Sequence, residues 1–175
     1  MKFRIFRFKK VLSTNKTAIR ILKISDFDSG MVVSENQTAG KGQYGKKWIS
    51  LKGNLFVSFF YKLNKLNYTL KQLTTMNALL VKKTLSIYYK GKILFKKPND
   101  LLINEKKICG ILQELVNQQG KKYIIVGIGI NLNKSPIIKK YPTTNLKNLI
   151  NKTVSKREIE SKLRNIFKTK LKKIY

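Results

Sequence analysis

The chain contains no histidine. That removes Ser–His–Asp and Cys–His relays, and every histidine-ligated metal site, from the possible chemistries. Its one cysteine, Cys109, excludes an internal disulfide framework and a multi-cysteine zinc site, and with no histidine to act as base it reads as a small buried apolar residue. No apolar run approaches the ~18 residues of a membrane-spanning helix. The opening MKFRIFRFKK alternates apolar and basic residues, unlike the apolar core of a secretory leader, so a cytoplasmic, non-membrane protein is expected. Acidic residues are also few, 8 against 38 basic ones, for a formal net charge of +30.

Such a charge invites a nucleic-acid reading. Two features weigh against it. The basic residues run along the whole chain, where an electrostatic footprint would be concentrated. They are also nearly all lysine, the arginines being Arg4, Arg7, Arg20, Arg157 and Arg164. Arginine is the residue suited to bidentate phosphate and guanine contacts. Abundant Lys, Ile and Asn together are what a genome poor in G and C would produce, so no specific nucleic-acid partner is expected.

What is present is a folding chain of 175 residues, 42% of them hydrophobic, enough for one domain with a real core. KFRIFRF alternates as a strand does. Ser13-Thr14-Asn15 offers N-cap chemistry ahead of a short helix in KTAIRILKI. MVVSENQ and NLFVSFFY (54–61) read as strands on either side of a glycine- and lysine-rich loop. Residues 69–89 place Leu73, Met76, Leu80 and Leu85 at helical spacing, predicting a long buried helix. KILFK is a strand stopped by Pro98. LLINEKKICGILQELV and KKYIIVGIGINLN predict hairpins, with turns near Asn104-Glu105 and in NQQGK. Over 155–174, Ile159, Leu163, Ile166, Phe167 and Leu171 share one face of an amphipathic helix. Mixed helices and antiparallel hairpins predict an α+β fold, a largely antiparallel mixed sheet with helices packed on one side.

Three clusters carry candidate chemistry. TAGKGQYGKKW (38–48) combines glycines that let backbone approach a ligand, lysines suited to phosphate, and the only tryptophan, Trp48. It is not a Walker A loop, and by itself it is equally a mobile surface turn. KKPNDLLINEKKICGILQE (96–114) sets Asn99 and Asp100 after a proline, which alone is also good turn chemistry. It then sets Lys107 ahead of a strand with Gly110 three residues on. VGIGINLN (126–133) runs two glycines through an apolar strand to Asn131, as a strand passing beneath a ligand would, or as a bulge or tight packing would require.

In this order the segments resemble the biotin–protein ligases. Ser13-Thr14-Asn15 is similar to that family's Ser-Thr-Asn, and QTAGKGQYGKKW to its Gln-x-x-Gly-Arg-Gly-Arg-x-Gly-x-x-Trp loop. KKPNDLLINEKKICGIL resembles its Lys-Trp-Pro-Asn-Asp segment with the lysine and Gly-Ile-Leu beyond, and GIGINL its Gly-Ile-Gly-Ile-Asn strand. The resemblance runs from about residue 12 to 133 and implies the catalytic-domain fold shared with class II aminoacyl-tRNA synthetases. It also implies an ATP-dependent ligase that makes biotinyl-5′-adenylate and transfers biotin to a lysine of the biotin carboxyl carrier of acetyl-CoA carboxylase. Residues 1–175 are then expected to be one catalytic domain, with neither the helix-turn-helix module nor the C-terminal SH3-like barrel of larger members, and a homodimer is possible in this family.

The resemblance assigns roles by position. Ser13, Thr14, Asn15 and Gln37 would bind biotin, with Gly40 and Gly110 lining its ring pocket. Lys107 would hold the reacting carboxylate and, with Lys41 and Asp100, form the catalytic set. Gly42, Gln43, Lys46, Trp48, Asn99, Asp100 and Asn131 would face ATP and the adenylate, Trp48 packing on adenine, Asn131 reading the base and Asp100 meeting Mg²⁺. The chain departs from the pattern where Lys41 and Lys46 replace arginines, where Gln43 replaces an arginine that retains the adenylate, and where Lys97 replaces tryptophan. The rival readings are a lipoate or octanoyl transferase of the same fold, whose Arg-Arg-x-x-Gly-Gly stretch and histidine are missing here, and a basic or degenerate non-catalytic relative, which would be expected to lose Lys107 or Asp100.

Overall fold

A computed structural model describes residues 3–63 and 68–172. Seven strands form one sheet in the order β1-β2-β3-β7-β6-β5-β4. They are β1 (Arg4–Val11), β2 (Ser29–Gln37), β3 (Leu55–Lys62), β4 (Leu94–Lys96), β5 (Asp100–Ile103), β6 (Lys106–Gln118) and β7 (Lys121–Ile130). All neighbours are antiparallel except β1 and β2, which run parallel. A parallel pair needs a crossover, and here it is helix α1 (Thr14–Lys23). The remaining helices are α2 (Leu70–Leu85), α3 (Leu146–Ile150) and α4 (Lys156–Lys172).

The two predicted hairpins form with the expected turns. Asn104 (φ 48°) and Glu105 (φ 61°) join β5 to β6, and Gln119 (φ 49°) and Gly120 (φ 70°) join β6 to β7. Two successive left-handed residues match the right-handed twist of the strands they connect. Helix α2 starts at a capping box in which Thr69 and Gln72 satisfy each other's backbone N–H groups. Ser13 occupies the N-cap position of α1, but its side chain makes no cap hydrogen bond.

The main core lies between the sheet and α2, α3 and α4. Leu55, Val57, Phe59 and Tyr61 of β3 and Ile124, Val126, Ile128 and Ile130 of β7 enter it at the period of two that a pleated strand imposes. Helix α4 meets it with Ile159, Leu163, Phe167 and Leu171. The Phe59 and Phe167 rings stack 4.3 Å apart. Each such side chain contributes about 1.5–3 kcal/mol when fully buried. Arg7 of β1 clamps Glu160 of α4 with paired bonds of 2.7 and 2.8 Å. Of the predicted helix over 155–174, positions 173 and 174 lie outside the described residues.

The expectation that all helices share one side of the sheet needs correction. Ala18 and Leu22 of α1 pack with Val32, Phe60, Tyr123 and Ile125 in a second core on the opposite face. The reason is the local topology: the β1–α1–β2 crossover covers the face that α2 and α4 leave open. That face carries the candidate site.

Candidate functional site

Beyond the C-terminal end of β2, a cleft of about 930 Å³ opens on the α1 face of the sheet. Its lining includes Ser13, Thr14, Asn15, Gln37, Lys41, Gly42, Gln43, Lys46, Trp48, Asn99, Asp100, Lys107 and Gly110. Residues from all three sequence clusters are thus brought to one place, although up to a hundred positions separate them.

One wall is uncharged over most of its extent and interlocked. The Gln37 amide accepts from the Thr14 N–H (2.8 Å) through Oε1 and donates to Ser50 Oγ (3.1 Å) through Nε2. Thr14 Oγ1 lies 3.0 Å from Gln37 Oε1 and 2.8 Å from Ser58 Oγ. Ser58 Oγ is in turn 2.5 Å from Asn15 Oδ1. Asn15 Nδ2 donates to Leu112 O (3.3 Å) and to the Glu114 carboxylate (2.6 Å). Thr14, Asn15 and Ser58 are buried, so each contact is made away from competing water. Gly127 lies directly beneath Asn15, and a Cβ there would overlap the amide. That is the physical demand behind one of the two glycines of VGIGI.

The other glycine of that strand answers to Trp48. Gly129 and Gly110 face each other across β7 and β6, and the indole lies over both. A Cβ at Gly110 would meet the ring at 2.7 Å, and one at Gly129 would overlap it. The loop that carries Trp48 folds into a compact hairpin. Gly42 N donates to Lys46 O (2.7 Å), Trp48 N donates to Gly40 O (2.9 Å), and Lys41 bridges Lys47. Tyr44 (φ 53°) and Gly45 (φ 73°) make its bend. Two polar atoms of this loop, Gln43 Oε1 and Trp48 Nε1, are buried without a hydrogen-bond partner.

The opposite wall is charged. Lys107 Nζ sits 2.8 Å from Asp100 Oδ1, 5.5 Å from the Trp48 ring centroid and 5.2 Å from that of Tyr141. A register shift between Leu101 and Leu102 in the β5–β6 ladder falls opposite Lys107. Bulges of this kind re-aim a side chain. The Lys107 backbone is held as well: its N–H donates to Pro142 O (2.9 Å) and its carbonyl accepts from Thr144 N (3.0 Å). Around this pair stand Lys41, Lys46, Lys47, Lys97, Lys139 and Lys140. Cys109 is fully buried beside it, and burial pushes its thiol well above the ordinary range, so it remains protonated and unreactive.

Two predicted site residues do not line the cleft. Asn131 is buried behind the end of β7, where Nδ2 donates to Thr144 O (3.1 Å) and Oδ1 accepts from Asn54 Nδ2 (3.4 Å). It ties the segment after β7 to the sheet. Gly40 is buried in the loop hairpin, where a Cβ would meet Trp48 O at 2.6 Å; its role is close packing. Sequence reasoning missed Ser58, Glu114, Ser50 and Tyr141. Ser58 alone left a trace, as a hydroxyl inside the apolar run LFVSFFY. The others join the site through tertiary contacts.

Residues 8–131 match the model of the biotin/lipoate A/B protein ligase family. The chain is 34% identical over 126 residues to the bifunctional ligase/repressor BirA of Bacillus subtilis, covering 71% of this chain and 39% of that one. It is 30% identical over 128 residues to the biotin–[acetyl-CoA-carboxylase] ligase of Paracoccus denitrificans, covering 70% and 53%. Among solved structures, the biotin protein ligase from Aquifex aeolicus in complex with biotin and ATP superimposes with a TM-score of 0.82 at 31% identity, covering 97% of this chain and 71% of that one. The chain thus spans about two fifths of the length of the Bacillus relative and about half that of the Paracoccus one.

Proposed function

Because the chain belongs to the biotin/lipoate A/B protein ligase family, we propose that it joins biotin to ATP as biotinyl-5′-adenylate and then passes the biotinyl group to a lysine of a carrier protein. In the first step the biotin carboxylate attacks the α-phosphorus and pyrophosphate leaves. In the second, the carrier lysine ε-amine attacks the acyl carbon, the new amide forms, AMP leaves, and the amine's proton goes to solvent. The acceptor class is the biotin carboxyl carrier of acetyl-CoA carboxylase, which the name of the Paracoccus relative supports.

The observation that carries this reading is the placement of Lys107. Its ammonium, held beside Asp100 and between two aromatic rings, lies where an uncharged hydrogen-bonding wall meets a lysine-rich one. The uncharged wall suits the polar head of biotin. The charged wall suits phosphates. The carboxylate–phosphate junction then falls at Lys107, which neutralises the charge that gathers there as the mixed anhydride forms. No covalent enzyme intermediate is needed, and the described residues offer neither a histidine base nor an activated thiol. Catalysis is positioning and charge stabilisation.

No group of three ligating His, Cys, Asp or Glu side chains occurs among the described residues. Magnesium therefore enters as part of the MgATP substrate, since it is commonly held by phosphates, water and one or two carboxylates. Of the carboxylates that line the cleft, Asp100 and Glu105, the one this reading gives to the metal is Asp100, which stands beside Lys107. Lys41 and Lys46 keep the charge of the arginines they replace but lose the planar fork, so they act on phosphate as point charges.

The test is transfer of labelled biotin to an apo carrier domain in the presence of MgATP. Lys107→Ala is expected to lower the rate by roughly 100-fold or more, the scale seen when one charge-stabilising donor is removed. A wild-type chain that neither releases pyrophosphate from ATP and biotin nor labels the carrier would overturn the proposal.

A further inference from the structure

Between β7 and α3 the chain runs through residues 131–145 without a helix or strand. Irregular segments of this length are uncommon inside a compact domain. This one is fastened at both ends. At its start the anchor is Asn54, the fully buried residue just before β3. Its Oδ1 accepts from three successive backbone N–H groups, those of Leu132 (3.0 Å), Asn133 (3.1 Å) and Lys134 (3.2 Å). Its Nδ2 donates to Lys134 O (2.8 Å), and Asn133 Nδ2 donates back to Gly53 O (3.0 Å). At the far end, Pro142 O and Thr144 N hold the backbone of Lys107. Thr143 Oγ1 donates to Pro136 O, closing the span between.

What lies between is a strap whose residues 137–142 all line the cleft. It brings Lys139 and Lys140 to the charged wall and sets the Tyr141 ring 5.2 Å from Lys107 Nζ. Ile137 is 99% exposed, and Lys139, Lys140 and Tyr141 are exposed as well. Hydrophobic burial therefore does little to hold this stretch, and the polar anchors decide where it lies. From these contacts we infer that Asn54, which stands outside the cleft, is a positioning residue for the nucleotide: it pins the strap so that Lys139, Lys140 and Tyr141 stand on the phosphate side without ATP having to order them. The inference rests on the ligase reading given above.

The physical reason is entropic. Ordering a loop residue costs backbone freedom, and a ligand that must order its own site binds more weakly by that cost. Bonds internal to the protein meet the cost within the fold. The sheet gives Asn54 its place, because Leu55 pairs with Ile130 at the end of β7, so the residue before β3 lies beside the point where the chain leaves the sheet. Successive N–H groups that converge there form a concavity for one acceptor. An amide suits it because it can also donate to Lys134 O.

The test compares the full chain carrying Asn54→Ala with wild type. It follows calorimetric binding of MgATP and of biotin, the thermal midpoint, and the rate at which trypsin cuts after Lys139 and Lys140, read by mass spectrometry well below that midpoint. With the freed strap in place about a tenth of the time, ATP affinity should fall about tenfold and biotin affinity should change by less than about twofold. Cutting after Lys139 and Lys140 should rise at least about tenfold, because it follows the population of the open strap. Asn54→Asp keeps the acceptor and loses only the donated bonds. It should show the same split at about threefold, and it decides the matter alone if Asn54→Ala does not fold. An equal fall in ATP and biotin affinity, the mark of a merely structural role, would overturn the inference. So would faster cutting with ATP affinity unchanged, or no change in either. Each of these leaves the ligase reading standing. A wild-type chain that binds neither ATP nor biotin would instead remove that reading and this inference with it.

Discussion

The two walls of the cleft are built on opposite principles. The wall of Thr14, Asn15, Gln37 and Ser58 consists of buried groups, with Gln37 half-buried at its edge, whose hydrogen bonds are closed among themselves and anchored to the sheet. The wall of Lys41, Lys46, Lys47, Lys97, Lys139 and Lys140 consists of flexible ammonium groups on loops, facing few acids. Geometry in the first is fixed by hydrogen bonds within the protein itself. The second supplies field in place of geometry. It attracts any polyanion, and its strength depends on screening. Lys107 belongs to both: the backbone around it is held by Pro142 and Thr144, and its ammonium is charged and paired.

Substitutions can break this contrast or sharpen it. The largest effect after loss of Lys107 is expected on the rigid side. Thr14→Val keeps the shape and the backbone N–H to Gln37 but deletes the acceptor, and should raise the KM for biotin by about 10- to 100-fold with the KM for ATP unchanged. Steady-state kinetics with each substrate varied in turn checks this, and equal changes in both constants would contradict the division of the cleft. A smaller effect separates the walls by salt. Raising ionic strength from about 0.05 to 0.5 M should weaken ATP binding several-fold and leave biotin binding nearly constant, because only the lysine wall works through charge exposed to solvent. Titration calorimetry at the two salt concentrations measures both. The smallest effect is expected at Gln43, whose Oε1 is buried without a partner. Gln43→Arg adds a bidentate phosphate donor and should slow escape of free adenylate by a few fold. Release from Gln43→Arg as fast as from the native chain would count against that role.

Much of the fold was legible because its signals are local. Period-two alternation marked β1, the apolar run marked β3, and Asn104 and Gly120, residue types that accept a left-handed backbone, marked the two turns. The face chosen by α1 was not legible. Ala18 and Leu22 make an apolar stripe whichever side of the sheet they meet, and only the crossover assigns them one. In the site, the clusters were visible but their division of labour was not. The glycines of VGIGI read as a floor for a ligand, a bulge or tight packing, and only the fold chose among these: Gly127 and Gly129 make room for the side chains of Asn15 and Trp48. Asn131 ended a plausible site strand, yet its amide is committed to Thr144 and Asn54.

By itself the sequence determined which chemistry was open to this chain. Without histidine, and with Cys109 inside an apolar strand, nucleophilic relays were closed to it. A lysine and a carboxylate spaced along one hairpin left charge stabilisation as the available route. Residue types and short-range spacing carry that information directly. The tertiary structure decided the rest: that Lys107 meets Asp100 across the β5–β6 pairing, that Trp48 settles on Gly110 and Gly129, and that Glu114 reaches Asn15. Hydrogen bonds depend on the position and direction of single atoms, and segments a hundred residues apart acquire those only when the sheet brings them into register.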